Sequence, residues 1–147
     1  RQGLTFQANY NSLKNLYFGI RTGYRFPTKN SNESKNIYGY ITYSKVPWIN
    51  VSATIATTWL QSSYLGGNIY YLNISRDIFK GKVYTECGYQ YVDYSFAGTL
   101  SSLKQNIADI GVFWRLLKNL TFSVKFEETF ENSNRYSRLN LQVRQRF

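Results

Sequence analysis

The sequence contains no histidine, no methionine and one cysteine, Cys87, in 147 residues. Without histidine it lacks the commonest general base and metal ligand, so we expect neither an enzyme nor a metal or cofactor site. A single cysteine excludes an internal disulfide. The two prolines form no Pro/Ser-rich linker, which predicts one domain over residues 1–147. No run of about 18 apolar residues occurs, and this excludes a membrane-spanning helix.

Aromatic and basic residues are in excess. Aromatics make up 18% of the chain, with 14 Tyr and 10 Phe, and they favour β-strands. The formal charge is +10, from 18 Lys and Arg against 8 Asp and Glu. The basic residues are scattered singly, as on a solvated surface or one that faces anionic lipid. We therefore expect no nucleic-acid partner.

The clearest pattern is strict alternation along residues 16–26. One face carries apolar side chains such as Phe18 and Ile20, and the other carries Arg21, Gly23 and Arg25. A period of two over about 11 residues predicts a strand long enough to cross a membrane at a tilt. Similar alternation predicts strands at residues 51–59, 106–116, 120–130 and 135–147, although Glu128 interrupts the apolar face of the third. Residues 4–10, 37–46, 69–77 and 83–94 are also predicted as strands, but their pattern is less regular and leaves the assignment of sides open. The total is about nine strands.

The predicted connections alternate in length. Short ones are expected near residues 11–15, 47–50, 79–82 and 117–119, and longer polar ones near 27–36, 61–68, 93–104 and 131–135. Short turns at one end and longer loops at the other are typical of antiparallel up-and-down barrels in outer membranes.

Alternation alone does not separate a membrane barrel from a soluble sandwich or a lipocalin-like barrel, whose apolar face points inward. Strands of about 10 to 13 residues favour the membrane, because soluble strands typically have five or six. Aromatic side chains near strand ends are the second argument, since they suit the headgroup level on both sides of a bilayer. The predicted girdles contain Tyr24, Tyr43, Trp48, Trp59, Trp114 and Tyr136.

The last nine residues, LNLQVRQRF, place Leu139, Leu141, Val143 and Phe147 on one side of the final predicted strand. This ending resembles the C-terminal strand of Gram-negative bacterial outer-membrane β-barrel proteins, where a terminal Phe after alternating apolar residues is the signal for the barrel-assembly machinery. Gln145 departs from the pattern at a position that is often apolar. The resemblance implies an integral outer-membrane location, a periplasmic C-terminus, and contact with the bilayer, lipopolysaccharide and that machinery.

The expected fold is therefore all-β, a transmembrane antiparallel up-and-down barrel with about 8–10 strands in this chain. Nine predicted strands are one too many or too few, since bacterial single-chain barrels have an even number. Either residues 4–10 are an arm beside a closed eight-stranded barrel, or the chain is the C-terminal part of a larger barrel. We favour the second, because the chain opens on a strand without a methionine or a leader.

Charged residues on the polar sides of the strands are the candidate lumen-facing groups. We expect the carboxylates to pair with cations in a partly dry interior. The arginines either line an anion-favouring channel or belong to a hydrogen-bonded plug, with Arg144 at the periplasmic rim. The candidates are Arg21, Arg25, Glu86, Asp109, Arg115, Lys125, Glu127, Arg138 and Arg144.

Two functions remain open. The barrel contributes to a pore, transporter or receptor for solutes, or it is a non-conducting anchor that presents loops or binds a partner protein in an outer-membrane complex. Catalysis is not expected, since outer-membrane phospholipases and omptin proteases depend on histidine. Cys87 lies on an apolar side and is expected to be a small lipid-facing residue.

Overall fold

The computed structural model describes residues 2–27, 33–98, 101–132 and 134–145, without the side chains of residues 12 and 13. These ranges contain no helix that is long and apolar enough to cross a membrane. They form nine strands: β1 (Gly3–Leu13), β2 (Leu16–Arg25), β3 (Ser34–Tyr43), β4 (Ser52–Ser62), β5 (Leu65–Ile78), β6 (Val83–Phe96), β7 (Ser102–Leu117), β8 (Leu120–Glu131) and β9 (Asn134–Gln145).

All nine strands belong to one antiparallel sheet in which each strand pairs with the next in sequence. The prediction of an all-β, up-and-down arrangement is therefore confirmed. As described, β1 and β9 are the two edges of the sheet. We call the end at which β1 begins the N-terminal end; the connections β2–β3, β4–β5, β6–β7 and β8–β9 lie there. The other four connections lie at the C-terminal end, where β9 ends.

The predicted alternation of short and long connections holds only in part. Two residues join β1 to β2 and two join β7 to β8, and eight join β2 to β3, as predicted. Eight residues, 44–51, join β3 to β4 where a short turn was expected, and only two, 63–64, join β4 to β5 where a longer loop was expected. Polar residues near 61–68 and 93–104 partly continue the ladder, with Asn68 opposite Asp93. Residues 44–51 fold back on themselves, because the Val46 N–H donates to the Val51 carbonyl at 2.8 Å.

The register sorts the side chains onto two faces. Directly paired residues point to the same side of an antiparallel sheet, so Phe18, Ile41, Ile55 and Leu72 share one face. We call this the apolar face. The opposite side, the polar face, carries Arg21 and the other charged residues predicted to line a lumen.

Burial differs between the faces. In the described ranges the buried residues are Ala56, Ser75, Gly88, Val92 and Gly111, and all five lie on the polar face. On the apolar face large side chains remain exposed, including Phe6 at 63% and Ile55 at 63%. The side chains of the polar face are thus the more enclosed.

Two glycines show the same difference in crowding. On the polar face Gly19 lies opposite Tyr40, and a Cβ at Gly19 would collide with the Tyr40 ring. The Tyr40 hydroxyl continues across β2 and donates to Asn9 Oδ1 of β1 at 3.3 Å. On the apolar face a Cβ at Gly39 would meet nothing closer than 3.9 Å. Crowding on one face only indicates that the sheet curls toward its polar face.

Candidate functional site

All nine charged residues predicted to face a lumen lie on the polar face. The register aligns Glu86, Gly111 and Lys125 in one row across β6, β7 and β8. The next row contains Asp109, Glu127 and Arg138 on β7, β8 and β9. The remaining candidates on this face are Arg21, Arg25, Arg115 and Arg144.

Lys125 is the centre of an ion cluster on this face. Its Nζ lies 3.1 Å from Asp109 Oδ2 and 3.7 Å from Glu86 Oε1. The two carboxylate side chains are only 13% and 20% exposed, so their charges need a partner. The predicted pairing of carboxylates with cations is confirmed here.

The contact between Lys125 and Glu86 crosses β7 above Gly111. A Cβ at Gly111 would lie 2.9 Å from Glu86 Cγ, closer than side chains pack. Gly88 leaves space for Asp109 in the same way, because a Cβ at position 88 would lie 2.9 Å from Asp109 Cγ. The two glycines therefore make the space that the cluster occupies.

A second ion pair lies beside the cluster. Arg138 Nη1 is 3.7 Å from Glu127 Oε1, as predicted. Nearer the N-terminal end, Gln105 Nε2 donates to Glu131 Oε2 at 2.7 Å. Arg21 and Arg115, which were also named as candidate partners for the carboxylates, have no acidic group within 4 Å among the described residues.

Each end of the polar face has a cavity. At the N-terminal end a cavity of about 580 Å³ lies among β1–β5 and is lined by Arg25, Asn36 and Ser62, among others. At the C-terminal end a cavity of about 370 Å³ is lined by Arg115, Lys118 and Arg144 together with neutral polar groups. Cations at both ends therefore flank the section that contains Glu86, Asp109 and Glu127.

Five of the six aromatic residues predicted to form girdles suit two bands. Tyr24 and Trp59 lie on the apolar face near the N-terminal end. Tyr43 and Trp114 lie on the same face near the C-terminal end. Trp48 lies in the β3–β4 connection at that end and is fully exposed.

Tyr136 differs from the other five. It lies opposite Thr129 and therefore shares the polar face with Arg138. Its position near a strand end suggested a girdle, but side chains alternate along β9, and Tyr136 falls on the polar side.

Sequence reasoning missed Tyr10, which is 69% exposed on the apolar face and lies near the C-terminal end. Its alternation with Leu4 and Phe6 was the available signal.

The proposed assembly signal is described in part. Leu139, Leu141 and Val143 lie on the apolar face, 61%, 65% and 66% exposed, opposite Phe126, Val124 and Phe122. Phe147 lies outside the described residues.

Cys87 lies on the apolar face between Ile74 and Ile110 and is exposed, which places it on the side expected from its alternation.

No protein-family model, no curated protein and no solved structure matches this chain, so its function is inferred from its own residues and geometry.

Proposed function

We propose that the chain is part of a transmembrane β-barrel in the outer membrane of a Gram-negative bacterium and contributes to a pore, transporter or receptor for solutes. The observation that carries this proposal is the reversed burial of the two faces. Large apolar side chains cover most of the exposed face, while Glu86, Asp109 and Lys125 lie on the enclosed one. The described charged residues of the apolar face all lie within four residues of a strand end: Lys35, Arg76, Asp93, Lys104, Glu128 and Arg135. In water the opposite arrangement is stable, whereas a bilayer stabilises exposed apolar surface.

The strand lengths support a membrane crossing. The strands have 10 to 16 residues. At about 3.3 Å per residue and a tilt of roughly 40°, even the shortest spans an apolar band about 25 Å tall. Aromatic residues near both ends of the apolar face lie where such a band would meet the headgroups.

The direction of the edge strands bears on how the barrel closes. With nine antiparallel strands, β1 and β9 run in the same direction, so joining them directly would make a parallel seam. A fully antiparallel barrel needs an odd number of further strands between these edges. Open edges in hydrocarbon cost several kcal/mol for each unpaired group, so we propose that this sheet belongs to a larger, even-stranded barrel.

An arm beside a closed eight-stranded barrel has less support. Closure of β2–β9 alone would require β2 to pair with β9. One edge of β2 is occupied by β3 and the other by β1, over ten residue pairs each. A larger barrel also leaves an aqueous lumen, in which the polar face would contact solutes.

A non-conducting anchor is the second candidate. It is favoured by the polar-face side chains that lie across neighbouring strands, such as Lys125 over Gly111, because they occupy interior space.

Single-channel recording in planar bilayers separates the two functions. A pore gives steady conductance steps with anion preference in a KCl gradient, and Arg25→Gln lowers that preference, since it removes one lumen cation. Thr57→Gln, on the apolar face, is the control and leaves the selectivity unchanged. A folded, inserted and silent protein contradicts the pore and supports the anchor.

A further inference from the structure

Three cations converge at the C-terminal end of the polar face. Arg115 belongs to β7, Lys118 to the β7–β8 turn and Arg144 to β9. The register places Thr121 of β8 between the two arginines, opposite both. All four residues line the cavity of about 370 Å³. Two strands and a turn thus bring the charges to one space.

None of the three cations has an acidic group within 4 Å among the residues that the structure describes. This distinguishes them from Lys125 and Arg138 on the same face, which are paired. Like charges gathered without a counter-charge repel each other, and a bound anion would relieve that repulsion.

The rest of the lining is suited to an oxyanion. Thr121 and Ser123 supply hydroxyl groups, and Asn119 and Gln142 supply amide groups. Guanidinium groups bind phosphate or carboxylate oxygens through two parallel hydrogen bonds, and lysine adds a compact charge. Phe113 contributes an apolar wall.

We propose that this cavity is a binding site for a phosphate group, with Arg115, Lys118 and Arg144 as the charged ligands. The group belongs either to a dissolved phosphate or phosphate ester or to a lipid headgroup, and the chemistry of recognition is the same. The site rests on its own residues and does not require that the barrel conduct.

The test is titration of the full chain, folded in zwitterionic detergent, with inorganic phosphate by isothermal calorimetry. We expect saturable binding that weakens at least tenfold in the double variant Arg115→Gln/Arg144→Gln. Two control variants remove charge from the β5–β6 turn at the same end. Lys80→Gln removes one charge, and Lys80→Gln/Lys82→Gln removes two, as the arginine double variant does. In both controls we expect the affinity for phosphate to stay within twofold of that of the unsubstituted protein. Far-UV circular dichroism verifies that each variant folds. If the double variant does not fold, Arg144→Gln alone takes its place, because Arg144 lies on the exposed edge strand β9.

A second arm compares vesicles of phosphatidylcholine with vesicles containing phosphatidylglycerol. If the ligand is a headgroup, the arginine variants bind the phosphatidylglycerol vesicles more weakly than the unsubstituted protein does, while their binding to phosphatidylcholine vesicles is unchanged. Free phosphate then does not saturate the protein. If the ligand is dissolved, phosphate binds without vesicles. The proposal is overturned if neither source binds saturably, or if the lysine double variant loses as much affinity as the arginine double variant.

Discussion

Two glycines determine which side chains the polar face can hold. The carboxylates of Asp109 and Glu86 occupy the space above Gly88 and Gly111, and Lys125 reaches them across β7. A partly buried carboxylate without a cation is costly, so the cluster depends on these glycines. Their role was not evident from the sequence, where each was one of several glycines on strands.

A substitution at Gly111 tests this dependence. We expect Gly111→Leu to lower the free energy of unfolding by about 1–3 kcal/mol, because the new side chain displaces Glu86 and Lys125 from each other. Gly39→Leu is the matched control on the apolar face, where a Cβ finds open space. Urea titration in lipid vesicles measures both. Equal losses in the two variants would show that the polar face is no more crowded than the other.

Alternation was enough to find all nine strands and to assign the faces of β2, β4, β7, β8 and β9. The sides of β1, β3, β5 and β6 were left open and follow from the register. Alternation succeeded because a period of two directly fixes side-chain direction along a strand. It failed at some of the connections, since polar composition does not distinguish a loop from a strand that continues with polar side chains. Asn68 and Ser95 illustrate this, because both were assigned to connections and both continue the ladder between β5 and β6, opposite Asp93 and Gly66. The sequence named the charged residues of the ion cluster, but which carboxylate pairs with which cation follows only from the register of the strands.

β9 provides a test of what its apolar side contacts. In a bilayer, Leu141→Arg places a cation in hydrocarbon and costs about 2–4 kcal/mol near the midplane. In water the same change costs little, because Leu141 is already 65% exposed. Asn140→Arg, the neighbour on the polar face, is the control. Urea titration in vesicles should show a large decrease in the free energy of unfolding for Leu141→Arg and a small one for Asn140→Arg. The same small decrease in both variants would contradict contact between Leu141 and lipid.

Across the whole molecule, the direction in which the sheet curls decides which face is enclosed and which can contact lipid. The enclosed side contains the Lys125 ion cluster and buried glycines. The exposed side contains mainly isoleucine, leucine, phenylalanine and tyrosine, and its charged residues lie near the strand ends. The sequence predicted both faces but left open which one points inward, since a soluble barrel alternates in the same way. Long-range packing decides that, through contacts such as Tyr40 with Gly19 and Lys125 with Glu86.

Cys87 reports directly on whether the apolar face contacts the bilayer, because it is the only cysteine and lies exposed on that face. A nitroxide label on Cys87 in phosphatidylcholine vesicles should collide often with oxygen and rarely with a water-soluble nickel chelate. Asn73→Cys in a Cys87→Ser background places the label on the polar face, one strand away, and should give the reverse. A Cys87 label that is as open to the nickel chelate as the Asn73 label would contradict contact between the apolar face and the bilayer.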